Sequence, residues 1–134
     1  MELVLRTDWS EMDLFGHVNN VAFMKYVQAS RVNYWETAGI TVLHQTKNIG
    51  PMLAGTSCQF KKPLYYPGNV RIEAHISFIK NTSFGIHHQI FDNEGHLAAE
   101  ADDVMVLFDF NKNEKTPFPA HIRQVIEQVE GKQF

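Results

Sequence analysis

The chain has one cysteine, Cys58, so no internal disulfide can staple it. Its longest apolar run, residues 104–108, falls far short of the ~20 residues that a bilayer-spanning helix needs. Residues 1–9 also lack the basic start and apolar core of a signal peptide. Lys and Arg are scattered rather than massed and the formal charge is −3, which leaves no basic surface for nucleic acid or an anionic membrane. Equally absent are a Gly-x-Ser-x-Gly elbow, a Gly-rich phosphate loop, and the Cys-x-x-Cys or His-x-x-x-His spacings of metal sites. These gaps point to a cytoplasmic protein with no membrane span, no metal and no cofactor, in which Cys58 packs rather than attacks.

What remains is the composition of a folded domain. Of 134 residues 44% are hydrophobic, and a chain of this length buries roughly two thirds of its unfolded surface around an ordinary core. No repeat and no Pro-, Gly- or Ser-rich linker divides it, so one domain over residues 1–134 is expected.

Residues 2–7 read as a first strand, followed by a polar loop over 8–18. From Asn20 to Ala38 the apolar residues cover most of a helical wheel and leave a narrow stripe of Lys25, Gln28 and Glu36, which predicts a helix buried on most sides. Asn19 or Asn20 can cap its start, and Gly39 lies where a left-handed residue ends it. After a connecting segment the period becomes two: Met52, Ala54, Thr56, Cys58 and Phe60 alternate with their neighbours, as do Val70, Ile72, Ala74, Ile76 and Phe78. Turn residues at 81–82 and 92–95 then separate runs over 84–91 and 97–110, so three hairpin-linked strands follow. Pro119 opens a last helix with Ile122, Val125, Ile126 and Val129 inward and Arg123, Glu127 and Glu130 outward. The fold class is α+β, with a curved, largely antiparallel sheet of about five strands around one long helix.

The chemistry is concentrated in Asp13-Leu-Phe-Gly-His-Val-Asn-Asn20. The octet sets a carboxylate, a glycine, a histidine and two capping amides just ahead of a helix N-terminus, whose unpaired N–H groups favour an anion. An acid facing an oxyanion site suits acyl transfer. Asp13 can attack a carbonyl or take a proton from water, and the residues alone leave both routes open. Glu11 is the reserve acid. His17 either relays a proton or fixes the loop, and Asn19 and Asn20 serve as caps without blocking the remaining N–H groups. Arg31, on an apolar helix face, calls for an internal salt bridge or a subunit contact. Lys61, Lys62, Arg71 and Lys80 are candidate cations for phosphates. His87 and His88 are adjacent in a strand and must face opposite ways.

The octet, followed by Phe23, Tyr26 and Arg31, resembles the hotdog-fold thioesterases of the 4-hydroxybenzoyl-CoA thioesterase type. Lys80-Asn-Thr-Ser83-Phe84 is similar to that family's basic-x-x-Ser-Phe hairpin. The resemblance implies an acyl-CoA thioesterase with Asp13 as catalytic carboxylate, supported by His17. It also implies that the N–H near Asn20 polarises the thioester carbonyl and that Ser83, in the hairpin of Lys80, contacts the nucleotide; with the phosphate candidate Lys62 and the cap Asn19, these complete the expected substrate-binding residues. It further implies a homodimer or homotetramer with the acyl pocket at the subunit interface, and a free sheet edge points the same way. Two other readings stand beside it. A hotdog dehydratase or hydratase would need an acid on the central helix, which carries only Glu36 near its far end. A non-catalytic acyl-CoA-binding protein would gain little from a carboxylate beside a polarised carbonyl.

Overall fold

A computed structural model describes residues 1–134. Strand β1 (Glu2–Arg6) leads through a 3-10 turn (Trp9–Glu11) to helices α1 (Asn20–Ala38) and α2 (Ile40–Lys47). Strands β2 (Ile49–Phe60), β3 (Asn69–Ile79), β4 (Ser83–Phe91) and β5 (Leu97–Asp109) follow, then the two-residue β6 (Glu114–Lys115) and helix α3 (Ala120–Glu130). The sheet runs β1-β3-β4-β5-β2 with every neighbour antiparallel, and β6 pairs with the end of β5. It curls around α1, as the periodicity predicts, in the hotdog arrangement that the family resemblance implies.

Helix α1 has the bounds its pattern predicts. The Asn19 side chain accepts the Ala22 N–H at 2.8 Å at its start, and Gly39, at φ 85°, ends it in the left-handed region. Gly39 ends α1 but does not end helical structure. The segment after it, expected to be a plain connection, is α2, whose Ile40 and Leu43 enter the core one turn apart. The helix is too short for its pattern to stand out, and tertiary burial rather than propensity holds it.

Two apolar clusters make the core. One joins the first half of α1 (Ala22, Phe23, Tyr26, Val27) to Val70, Ile72, Ile90, Ala99 and Ala101. The other joins the second half of α1 (Tyr34, Ala38) and α3 (Ile122, Ile126) to Ile76, Ile86, Met105 and Leu107. Between them lies a buried polar layer. Asp103 accepts two hydrogen bonds from Arg31, Nε at 2.9 Å and Nη2 at 3.1 Å, and one from Thr56 Oγ1 at 2.7 Å. His88 Nε2 lies 2.7 Å from Asp103, and its Nδ1 lies 2.9 Å from Ser30 Oγ. Arg31 thus has the internal partner its position demands. His88 points inward, while His87 on the opposite face pairs with Asp102. Burial opposes charge on Asp103, but the hydrogen bonds from His88, Arg31 and Thr56 outweigh it and hold its pKa down to about 2.

Three expectations need correction. The alternation along β2 is broken by a bulge between Leu53 and Gly55. Leu53 therefore shares a face with buried Met105 and Met52 shares one with Val106, whereas beyond the bulge Thr56, Cys58 and Phe60 keep the inward phase. Glu130 does not face outward. It continues the Ile122–Ile126 line at the next i+4 step, and its carboxylate accepts the Tyr34 hydroxyl and the Ile76 N–H beside the bulge in β3, while Val129 is exposed. Burial opposes charge on Glu130 too, yet those bonds and His75 lower its pKa, and burial with the same bond raises that of Tyr34. Finally, α1 is less enclosed than its composition suggests, because Val21 and Val32 join the exposed stripe.

Asp103→Asn should lower stability by about 3–5 kcal/mol, because it leaves Arg31 buried without a counter-charge. The folded pKa of about 2 lies below the ordinary 3.8, so the Asp103 contribution is complete above pH 3.8 and is lost as pH falls toward 2. Urea unfolding at pH 7 and pH 3 should show the gap between wild type and Asp103→Asn narrowing in acid. A constant gap would contradict this account.

Candidate active site

The polar loop ahead of α1 is a small hairpin. Asn19 N–H donates to the Glu11 carbonyl at 2.8 Å, Met12 and Val18 form a bridge, and Asp13 N–H donates to the His17 carbonyl at 2.7 Å. At its tip Asp13 Oδ1 accepts the N–H groups of Phe15 at 2.9 Å and His17 at 3.0 Å. Gly16 takes the left-handed conformation, φ 84°, that brings the chain back. One carboxylate oxygen is occupied, and Oδ2 has no partner within the chain. Buried Val18 anchors the hairpin: its N–H donates to the Leu64 carbonyl at 2.8 Å, and it packs in one cluster with Phe23, a hydrophobic staple across the helix start.

The start of α1 supplies donors. Asn19 satisfies the Ala22 N–H, while the N–H groups of Asn20 and Val21 donate to nothing in the chain. Asp13, His17 and Asn20 line one groove of about 330 Å³ together with Phe23, Phe60 and Lys62. The His17 ring is set edge-on against Tyr65, centroids 5.4 Å apart. Four of the expected site residues, Asp13, His17, Asn20 and Lys62, therefore meet.

The others do not line this groove. Asn19 is engaged as the cap. Lys80 lies over the Phe78 ring, and its N–H donates to the Ser83 carbonyl in the β3–β4 hairpin. Ser83 is level with Val106 of β5, whereas the groove's Phe60 is level with Ala99, seven residues away. At ~3.3 Å per residue that is roughly 23 Å along the sheet. Glu11, the reserve acid, is committed elsewhere. Its Oε1 accepts the Asp8 N–H at 2.9 Å and the Tyr26 hydroxyl at 2.7 Å, and burial with this bond raises the Tyr26 pKa. Of the other candidate cations, Lys61 does border the groove and faces Glu100 at 3.7 Å, whereas Arg71 faces Glu73 away from it; burial raises the Cys58 thiol's pKa.

The chain also contains a second copy of the Asp13 turn. Asp92-Asn-Glu-Gly-His96 repeats the spacing Asp-x-x-Gly-His, and that spacing is the one signal of it in the sequence. Asp92 Oδ1 accepts the N–H groups of Glu94 at 2.9 Å and His96 at 2.8 Å, and Gly95 has φ 85°. Desolvation opposes charge there, but the two N–H donors, His96 and Lys62 lower the Asp92 pKa. This turn borders a larger hollow of about 410 Å³ that shares Lys62 and Pro63 with the groove. The hollow contains no residue of α1. The turn is thus a self-sufficient structural unit, and what sets Asp13 apart is its helix. No three His, Cys, Asp or Glu side chains are grouped to hold a metal ion.

Comparison with known proteins identifies the family and the fold. Residues 7–126 match the model of the thioesterase-like superfamily, and the chain belongs to that family. Its fold is similar to that of the PA2801 protein of Pseudomonas aeruginosa, 27% identical, with a TM-score of 0.83 over 93% of this chain and 96% of the other. It is similar also to a predicted thioesterase from Bacillus stearothermophilus, 25% identical, TM-score 0.87, covering 99% of this chain and 98% of that one. A Thermus thermophilus thioesterase complexed with coenzyme A and Zn shares the fold at 22% identity and TM-score 0.86, covering 99% and 96%. Bacillus subtilis YsmA is 26% identical over 98 residues, which are 73% of this chain and 65% of that protein.

Because the two turns are built alike, Gly16→Ala and Gly95→Ala should each cost about 1–2 kcal/mol, the penalty for a side chain in the left-handed region. Nothing lies within 4 Å of the added methyl at either site. Thermal melts of the two variants should therefore shift by similar amounts, and an unchanged melt at either would refute the equivalence.

Proposed function

We propose that this chain, one hotdog domain over residues 1–134, is a cytoplasmic acyl-CoA thioesterase that hydrolyses its substrate to a free acid and CoA. The observation that carries the reading is that Asp13, with one free carboxylate oxygen, shares a groove with Asn20, at the helix end whose first two N–H groups are unused. A thioester laid there with its oxygen toward those N–H groups develops its negative charge where donors are already in place; each such donor is typically worth ~3–4 kcal/mol of barrier. Asp13 Oδ2 then acts on the carbonyl carbon. As a nucleophile it forms a mixed anhydride, expels the CoA thiolate, and the anhydride is cleaved by water. As a general base it takes a proton from water, whose oxygen attacks, and the thiolate leaves. The N–H donors that hold Oδ1 orient the carboxylate for either course. His17 borders the same groove, and Lys62 offers a cation at its rim.

Lys80 and Ser83 reach this groove only from a second subunit. Strand β2 is an edge strand with exposed Leu53 and Phe60, and its neighbour Val104 is exposed too. Pairing two β2 edges antiparallel about a two-fold axis covers those residues, continues the sheet, and carries one subunit's far hairpin toward the other's groove. We therefore assign a homodimer, the unit of any tetramer, and a monomer in sedimentation velocity would remove this part of the reading.

The decisive experiment measures thiol release from a panel of aliphatic and aromatic acyl-CoAs. Asp13→Asn keeps the oxygen that accepts the two N–H bonds, so the turn survives while kcat falls by about 10²- to 10⁴-fold. Asp92→Asn, the same change in the twin turn, leaves kcat unchanged. Equal losses in both variants, or no release by the wild type, would sink the proposal.

A further inference from the structure

The turn that presents Asp13 carries two large apolar side chains into solvent: Leu14 is 93% exposed and Phe15 81%. The charged residues of that loop, Asp8, Glu11 and Asp13, are all acidic, which disfavours an anionic membrane as the cover. At the opposite end of β2 lies an unfilled cavity of about 250 Å³, lined by Trp35, Ile40, Thr41, His44, Pro51 and Phe110. Trp35, His44 and Phe110 bring aromatic rings to its wall, the last two edge to face at 6.0 Å.

We propose that Phe15 of one copy seats in this cavity of a second copy, so that each Asp13 turn is held in place by the partner. The inference rests on the β2 pairing assigned above. The groove of Asp13 and Phe60, two residues from the knob, and the cavity beside Pro51 both lie on the helical side of the sheet, since Phe60 is level with buried Ala99 and Pro51 with buried Leu107. A two-fold axis near the middle of β2 exchanges the ends of that strand and keeps the helical sides together. It therefore sets each knob against the other copy's cavity, twice over, as an isologous interface requires. The sizes agree, since a cavity of ~150 Å³ already accepts a benzene ring. Within one chain the contact is impossible: α1 runs from Asn20, beside the knob, to Trp35 in the cavity wall, a span of roughly 22 Å at ~1.5 Å per residue.

The consequence is an active site that works only when its loop is docked. In a Cys58→Ser background, Phe15→Cys and Thr41→Cys together should give a disulfide-linked dimer under mild oxidation, and neither substitution alone should do so. The Cα atoms of a disulfide lie within ~7 Å, so the link reports the contact directly and can form only between chains. Phe15→Ser, with Cys58 intact, should weaken dimerisation about tenfold or more. Its thiol-release activity should fall at low protein concentration and return at high concentration. A dimer in sedimentation velocity that forms no such link overturns the docking while sparing the β2 pairing, and a monomeric wild type overturns both. A link in a protein that releases no thiol leaves the docking standing and removes the proposed activity.

Discussion

The bidentate pair between Arg31 and Asp103 fixes the central helix on its sheet. The apolar clusters that flank it on both sides attract without direction and so set the helix's position less sharply than a paired charge does. A displacement would strand a guanidinium and a carboxylate, both buried, without each other. That penalty exceeds what slightly poorer packing costs. Because Thr56 and His88 bond the same carboxylate, the pair also registers β2 and β4 against the helix. The start of α1 is thereby held beside the end of β2, where Phe23 meets Phe60 edge to face at 5.1 Å.

The twin turns separate local geometry from chemistry. Asp13 and Asp92 sit in the same hydrogen-bonded frame, with left-handed Gly16 and Gly95 in matching places. One frame ends a hairpin between two strands. The other is tied by Val18 and Leu64 to the start of a buried helix with two unused donors. A carboxylate turn is thus common equipment in this chain, and its neighbour makes it a candidate for catalysis. Glu11 illustrates the converse: an acid in the same loop is bound to a cap and a tyrosine, which removes it from the chemistry.

The exposed surfaces have one common cause. Strand β2 is an edge strand, so Leu53 and Phe60 are only half-covered within the chain, and the loop ahead of α1 holds Leu14 and Phe15 in solvent. A sheet that wraps one helix must leave an edge, and a long apolar edge is a place for another chain to add. In the dimer we propose, one symmetry operation brings the groove, the far hairpin and the cavity together.

Strong periodicity and local chemistry were readable from residues alone. The bounds of α1, the asparagine cap, the glycine stop and the opposed His87 and His88 each follow from a few neighbouring side chains, and so do the strands over 69–79, 83–91 and 97–109. That Arg31 must be paired was legible too, but its partner was not, because Asp103 is 72 residues away and looks like any strand carboxylate. The bulge in β2 hid the change of face at Leu53. Helix α2 and the inward turn of Glu130 were likewise decided by burial against distant elements. Above all, the octet announced an acid and a helix start, while only the folded chain showed which donors were left over. Hydrogen bonds between neighbours are set by sequence; their absence is a property of everything else that packs around them.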